Sequence, residues 1–139
     1  MKAWINCDLR YNTTLPKTHP PVSKGQHFFR KSLPNDFLVQ VPDQLGALPT
    51  RMQNLGAHLA HNKPLLTAGT LILSGPTLTG HPKTADEALP ITGSVLIFRT
   101  GTEDEVRELL AVDPLAKAGV WDLEKVIITP YRCGLWRPY

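Results

Sequence analysis

The sequence predicts one α+β domain whose four strands and two helices follow each other in the order β-α-β-β-α-β. Three observations predict this order. Four short runs are rich in β-branched and aromatic residues, two longer segments place apolar residues at helical spacing, and glycine or proline separates them. In this order two helices cover one face of an antiparallel sheet, which is the ferredoxin-like arrangement. The length of 139 residues suits one hydrophobic core.

The four predicted strands are short runs that end at turn-forming residues. They are residues 37–41, 70–73, 91–99 and 126–129. Pro42 ends the first strand because proline removes a hydrogen-bond donor from the ladder. Ser74-Gly75-Pro76 is expected to break the second strand at a point where the backbone can approach a ligand closely. Residues 80–90 are predicted to form a polar loop.

Helical spacing of apolar residues places the two predicted helices. The first runs from about residue 51 to residue 63, and Pro64 is expected to limit its extension. The second opens at Thr102, which forms a capping box with Glu105, and Pro114 blocks its easy continuation. The residues at helical spacing are Met52, Leu55 and Leu59 in the first helix, and Val106, Leu109 and Leu110, as a buried stripe, in the second.

Residues 1–35 differ in composition from the rest and are predicted to be an extension outside the domain, which spans residues 36–139. This extension contains several prolines and most of the excess positive charge behind the net charge of +3. It lacks interleaved stacking aromatics, so a solvated or targeting segment is favoured and no nucleic-acid partner is predicted. No apolar run is long enough to span a membrane. Two widely separated cysteines and the lack of a secretory apolar region predict a cytoplasmic protein, with a mitochondrial presequence as the alternative.

His58 and Asp113 are the main candidates for chemistry. His58 lies in the first predicted helix and Asp113 at the end of the second. A histidine and a carboxylate that converge can exchange protons with a small molecule near neutral pH. The negative end of the helix dipole is expected to raise the pKa of Asp113 unless a cation such as His58 is nearby. Without such convergence, His58 is a helix histidine with a satisfied hydrogen bond and Asp113 is a turn residue before proline.

Four other residues are candidates for substrate binding. Ser74 is expected to donate a hydrogen bond to a substrate oxygen, and the backbone of Gly75 is expected to bind the same oxygen. His81 lies in a loop. Either this loop closes over the pocket as a lid, or His81 is an exposed loop histidine without a role in binding. Trp121 forms an apolar wall of the pocket or packs against the sheet.

No metal or cofactor is predicted. His58 and His61 have a spacing that allows both to bind one metal ion, but the sequence offers no third ligand. Glycine-rich phosphate loops of the Walker or dinucleotide type are absent, so a nucleotide cofactor is not implied.

The order and spacing of several short segments resemble the YCII-related (YciI-like) domain family from about residue 36 to residue 131, most closely its fungal-type members. The segments that carry the resemblance are Phe37-Leu38-Val39, Pro42-Asp43, Gly46-Ala47-Leu48, Arg51, His58-Leu59, Lys63-Pro64, Gly75, His81-Pro82-Lys83, Ile91-Thr92-Gly93-Ser94, Asp113-Pro114 and Gly119-Val120-Trp121. The resemblance implies a dimeric α+β barrel with its active site at His58 and Asp113. One characterised branch of the family eliminates hydrogen chloride from a chlorinated hydroquinone.

One departure from the family concerns anion binding. Family members commonly carry an Arg-Pro pair where this chain has Leu55-Gly56. Arg51 matches a second family arginine and is expected to replace part of its role, offsetting negative charge that develops on the substrate.

Together with this resemblance, the observations predict a homodimeric, cofactor-independent lyase or isomerase that eliminates, dehydrates, decarboxylates or cyclises a small molecule. The resemblance to fungal-type members implies that this molecule is an aromatic or polyketide-like metabolite. His58 is the expected proton shuttle, and Asp113 orients it or serves as the base. The alternative is a non-catalytic module that binds a small molecule or supports a partner enzyme.

Overall fold

The computed structural model of the chain describes residues 34–134, so the predicted extension over residues 1–35 lies almost wholly outside the described residues. The elements are β1 (Asn35–Pro42), α1 (Leu48–Ala68), β2 (Leu71–Leu78), β3 (Ile91–Thr100), α2 (Glu103–Val112), α3 (Pro114–Lys117), a 3-10 turn (Leu123–Lys125) and β4 (Ile127–Tyr131). The predicted β-α-β-β-α-β order is confirmed, with α3 as a short addition after α2. No helix within residues 34–134 is long and apolar enough to cross a membrane.

The four strands form one antiparallel sheet in the order β2-β3-β1-β4. In the central strand β1, Phe37, Val39 and Val41 are buried, whereas the residues between them are more exposed. This alternation follows from the two-residue period of a strand, which turns one face of the sheet towards the helices. The core there contains Phe37, Val39, Val41, Leu71, Leu96, Phe98, Val106, Leu110, Leu115, Val120 and Trp121.

Helix α1 is longer than the sequence predicted, because Pro64 lies inside it and does not end it. The hydrogen bond that proline cannot donate would run to the carbonyl of Ala60. Both residues are exposed, so solvent can take the place of the missing donor. The helix ends four residues later at Ala68, and the next residue, Gly69, adopts a left-handed conformation with φ of 76° and donates its N–H to the last turn.

The apolar residues that predicted α1 do not form its buried face. Met52 and Leu59 are 54% and 59% exposed, respectively. The buried residues of α1 are polar, namely Arg51, His58 and Asn62. The helix therefore turns a polar stripe towards the domain and leaves an apolar stripe beside it.

Strand β2 also continues beyond its predicted end, through Ser74-Gly75-Pro76 to Leu78. It is an edge strand that pairs only with β3, and proline is tolerated on an edge strand because only one side of the backbone is used. A register shift between Leu71 and Leu73 marks an irregularity in the pairing. The predicted break is thus a continuous strand that places Ser74 and Gly75 beside α1.

Helix α2 begins as its capping signature predicted. Thr102 Oγ1 accepts a hydrogen bond from the amide of Glu105 at 3.3 Å. The Glu105 carboxylate reaches back to the amide of Gly101 at 2.8 Å. The helix ends at Val112, and the next residue, Asp113, starts the short α3.

Candidate active site

His58 and Asp113 form a buried pair, as the sequence predicted. Nδ1 of His58 lies 2.9 Å from each carboxylate oxygen of Asp113. The two residues are 6% and 2% exposed, respectively. Helix α1 brings the imidazole to the junction of α2 and α3, where the carboxylate lies.

The carboxylate of Asp113 is held by two further donors. Its Oδ1 accepts the backbone N–H of Leu115 at 2.8 Å, because Asp113 is the N-cap of α3. Its Oδ2 accepts a hydrogen bond from Nδ2 of Asn62 at 2.9 Å. Together with His58, these donors satisfy both oxygens of a buried charge.

These hydrogen bonds set the direction in which the pKa of Asp113 moves. Burial by itself raises the pKa of Asp113, but the hydrogen bonds from His58, Leu115 and Asn62 outweigh it and hold the value below the ordinary range. The sequence predicted a rise from the C-terminal end of α2 unless a cation is nearby. It did not foresee that the same residue caps α3 and accepts its amide. Asp113 is therefore an ionised acceptor at neutral pH.

The donors around Asp113 also fix the tautomer of His58. The two N–H bonds of Asn62 Nδ2 point to Asp113 Oδ2 and to the backbone carbonyl of His58, at 2.9 and 3.0 Å. Both N–H bonds of this amide are thus already used, so its 3.1 Å distance from Nδ1 of His58 is a contact and not a further hydrogen bond. An ionised Asp113 can pair with Nδ1 only if Nδ1 carries a proton. In the neutral ring Nε2 is then the free acceptor, and it has no hydrogen-bond partner within residues 34–134.

Arg51 is fixed on the sheet side of α1 by three hydrogen bonds. Its Nε donates to Asp43 Oδ2 at 2.8 Å, and its Nη2 donates to the carbonyl of Gly93 at 2.8 Å and to Ser94 Oγ at 2.5 Å. Burial lowers the pKa of Arg51 and raises that of Asp43, and their mutual attraction opposes both shifts. A guanidinium remains a cation in proteins, so the site carries a fixed positive charge. Nη1 has no partner among the described residues and is available to a ligand.

A cavity of about 690 Å³ connects these groups to solvent. It lies between α1, β2, the start of β3 and the end of the loop before β3. Four of the predicted site residues line it: Arg51, His58, Ser74 and Gly75. The structure therefore brings together the predicted proton shuttle and three of the predicted substrate-binding residues.

Two predicted substrate-binding residues lie elsewhere. His81 is exposed on the loop between β2 and β3 and does not line the cavity, although Ala88 and Leu89 of the same loop do. Trp121 is buried behind the site, where its Nε1 donates to Ser94 Oγ at 3.2 Å. Its ring meets that of His58 edge to face, with centroids 5.6 Å apart. Trp121 thus supports the imidazole from behind, and the structure gives neither residue a contact with the cavity.

Three residues of the site were not predicted from the sequence: Asp43, Asn62 and Ser94. Asn62 had a usable signal, because it lies four residues after His58 on the same helical face and asparagine is unfavourable inside a helix. Asp43 and Ser94 lie in segments that carry the family resemblance, but each reads locally as a turn or strand residue, and no spacing links either of them to Arg51. Within residues 34–134, no group of three or more His, Cys, Asp or Glu side chains is arranged to hold a metal ion.

Comparison with known proteins adds a family and several relatives. The family model of the YCII-related domain matches residues 36–132. "Derivative of benzaldehyde biosynthesis cluster protein C" of Emericella nidulans is 51% identical over 84 residues, which cover 60% of this chain and 86% of the relative. "Xenovulene A biosynthesis cluster protein asL2" of Sarocladium schorii is 33% identical over 108 residues, which cover 75% of this chain and 93% of the relative.

A solved structure is similar in both sequence and fold. It is 5-chloro-2-hydroxyhydroquinone dehydrochlorinase (TftG) from Burkholderia phenoliruptrix AC1100, in complex with 2,5-dihydroxybenzoquinone. The TM-score is 0.60 at 34% identity, and the match covers 71% of this chain and 95% of the other.

Proposed function

The chain belongs to the YCII-related domain family, and on this premise we propose that it is an acid–base enzyme of the lyase or isomerase type that acts on a small aromatic or polyketide-like metabolite. The observation that carries the proposal is the buried His58–Asp113 pair at the wall of a cavity. A paired imidazole whose other nitrogen is free has the arrangement of a general base.

The proposed reaction begins when Nε2 of His58 removes a proton from a carbon or hydroxyl group of the substrate. Asp113 stabilises the imidazolium that forms, because its charge lies 2.9 Å from Nδ1. In an elimination, the leaving group departs with its bonding electron pair and the proton is released to it or to water. In an isomerisation, the imidazolium returns the proton to a different substrate atom.

Negative charge that develops on a substrate oxygen needs donors in the same cavity. Arg51 and Ser74 line the cavity, and neither Nη1 of Arg51 nor the hydroxyl of Ser74 forms a hydrogen bond within the described residues. Donors that are already oriented stabilise a developing charge without further reorganisation. We assign this role to Arg51 and Ser74.

The comparisons support the choice of substrate class. TftG is named as a dehydrochlorinase of an oxygenated aromatic ring. Two fungal relatives are named as proteins of biosynthesis clusters. We therefore place the substrate of this chain among oxygenated ring or enol metabolites of such pathways, without assigning it a chlorinated substrate.

We also propose that the chain works as a homodimer through the open face of its sheet. Strand register places Leu73 opposite Ile97 and Ile127 opposite Gln40, on the face turned away from the helices. Leu73 and Ile127 are 43% and 57% exposed. A second copy would remove this apolar surface from water. Light scattering of the purified chain should give twice the monomer mass, and the monomer mass would contradict this arrangement.

The test of the chemistry compares wild type with His58→Gln and Asp113→Asn on metabolite extracts of a fungal culture, followed by chromatography and mass spectrometry. His81→Gln is the matched control, because it changes an exposed histidine outside the cavity. A product formed by wild type and the control but by neither site variant would support the proposal. Conversion by all four proteins would refute the role of the pair. Depletion of a bound metabolite without any product would favour a binding module.

A further inference from the structure

The cavity has two sides of different chemistry. One side is polar and buried, with Arg51, His58, Asn62 and Ser94 between 3% and 7% exposed. Apart from Lys63, Ser74 and Gly75, the rest of the lining is apolar. The apolar residues that α1 contributes to it are Leu48, Met52, Leu55, Leu59 and Leu66. Pro76, Leu89 and Ile91 face them from the other side.

The apolar stripe of α1 is exposed to an extent that needs an explanation. Met52, Leu59 and Leu66 are 54%, 59% and 55% exposed, and Leu89 on the facing wall is 43% exposed. Single exposed apolar side chains are ordinary, but these lie together along one cavity. Covering them is favourable in proportion to the apolar area removed from water. Lys63 lies between Leu59 and Leu66, and its methylene stem can extend the same surface while its ammonium stays hydrated.

The length of this stripe exceeds the size of a single ring. Met52 and Leu66 are fourteen residues apart, which is about 21 Å along a helix at 1.5 Å per residue. A lone oxygenated ring placed against His58 would leave most of the stripe in water. The cavity volume of about 690 Å³ lies in the range that holds ligands of drug size.

We infer that the substrate is amphipathic: an oxygenated ring or enol head lies on the polar side against His58, and an alkyl or alkenyl chain lies along the apolar stripe of α1. This inference rests on the proposed function for the choice of the reacting end. The alkyl chain is assigned to the substrate because the apolar stripe and the polar side line one continuous cavity. A second copy has a different apolar surface to cover, the open sheet face with Leu73 and Ile127.

Isothermal titration calorimetry with a matched ligand pair tests the inference on the full-length chain. The parent probe is 2,5-dihydroxybenzoquinone, which the similar dehydrochlorinase binds, and its partner carries an undecyl chain on a free ring carbon. Each fully buried methylene improves affinity about fourfold. Because the cavity is open on one side, we expect the alkylated quinone to bind at least tenfold more tightly than the parent.

Substitutions in the apolar stripe test where the alkyl chain of the ligand binds. Replacing Leu59 and Leu66 together by serine should reduce the gain to threefold or less, with the affinity for the parent and the far-UV circular dichroism unchanged. Leu45→Ser is the matched control, since Leu45 is fully exposed and does not line the cavity. It should leave the gain intact.

Several results would overturn the inference. Equal affinities for the two quinones, no binding of the alkylated quinone at millimolar concentration, or a gain that survives the double serine variant would each do so. A double variant that becomes monomeric in light scattering, with no gain in wild type, would assign the stripe to a second copy. New trypsin cleavage within residues 1–33 of the double variant, again without a gain, would assign the stripe to the chain's own N-terminal residues.

Failure of the proposed chemistry gives a different pattern. The gain in affinity from the alkyl chain should persist in His58→Gln, because the alkyl chain contacts the apolar side chains of α1 and not the imidazole. A protein that shows this gain in affinity but no turnover would support the amphipathic ligand and refute the acid–base reaction.

Discussion

Replacing Asp113 by asparagine should destabilise the protein in a manner that depends on pH. The carboxylate accepts hydrogen bonds from His58, Asn62 and Leu115. Asparagine can keep the bond from the Leu115 amide through its own oxygen. Its amide nitrogen, however, would face the amide of Asn62 and Nδ1 of His58, which are both donors in wild type.

The expected magnitude follows from the loss of the hydrogen bond from Asn62 and the replacement of the charged bond to His58 by a neutral one. A hydrogen bond to a charged group contributes about 1.5–3 kcal/mol. Removing the charge also relieves part of its burial, which offsets a fraction of the loss. We therefore expect Asp113→Asn to lower the free energy of unfolding by about 2–4 kcal/mol at pH 7.

The sign of the pH dependence follows from the lowered pKa of Asp113. A carboxyl group whose pKa is lower in the folded than in the unfolded chain stabilises the folded state above the unfolded value, which is about 4 for aspartate. This contribution is lost as the pH falls through the folded-state value. The difference in unfolding free energy between wild type and Asp113→Asn should persist at pH 7 and 5 and shrink below pH 4.

Urea unfolding followed by circular dichroism measures this difference at each pH. Asp86→Asn, a substitution in the exposed loop before β3, is the control and should change stability by less than about 0.5 kcal/mol. Nitrogen NMR of the His58 ring should also show the proton moving from Nδ1 to Nε2 in Asp113→Asn. An unfolding difference that stays constant or grows from pH 4 to pH 2 would refute the argument from the ionised carboxylate.

Two further substitutions test the supports of the site. Asn62→Leu removes a donor to Asp113, so it should raise the pKa of Asp113 and lower stability by about 1–3 kcal/mol in urea unfolding; an unchanged carboxyl titration by NMR would contradict this. Arg51→Lys replaces a guanidinium held by Asp43, Gly93 and Ser94 with a single ammonium, so it should weaken binding of 2,5-dihydroxybenzoquinone about tenfold by calorimetry. Undiminished affinity in a folded Arg51→Lys protein would exclude Arg51 as the anion-binding donor.

The positions of helices and strands could be predicted where local patterns decide them. Alternating β-formers placed β1 and β3, and the Thr102–Glu105 signature placed the start of α2. The end of α1 and the continuation of β2 could not be predicted from Pro64 and Pro76 alone. Proline ends a helix or strand only when the N–H that it lacks is needed as a donor inside the protein. Here Pro64 is exposed on a helix and Pro76 lies on an edge strand.

The candidate site was predictable for His58 and Asp113 but not for the groups that support them. The resemblance to a family supplied the pair, and Asn62 could have been added from its spacing to His58. Asp43 reaches Arg51 from just after β1 and Ser94 reaches it from β3, so no sequence spacing connects them to it. Their importance comes from burial of a cation, which requires acceptors wherever the fold provides them.

The sequence by itself determined the element order, because this depends on periodicity and turn residues, and its resemblance to a family singled out His58 and Asp113. Only the tertiary structure decided which stripe of α1 is buried and in which direction the pKa of Asp113 moves. Helical spacing is satisfied equally by the apolar stripe of Met52 and Leu59 and by the polar stripe of Arg51 and His58. The choice between them depends on partners that lie far away in the chain, such as Asp113, which is 55 residues from His58. Burial becomes favourable for a polar stripe when distant segments satisfy its hydrogen bonds, and that information exists only in the folded chain.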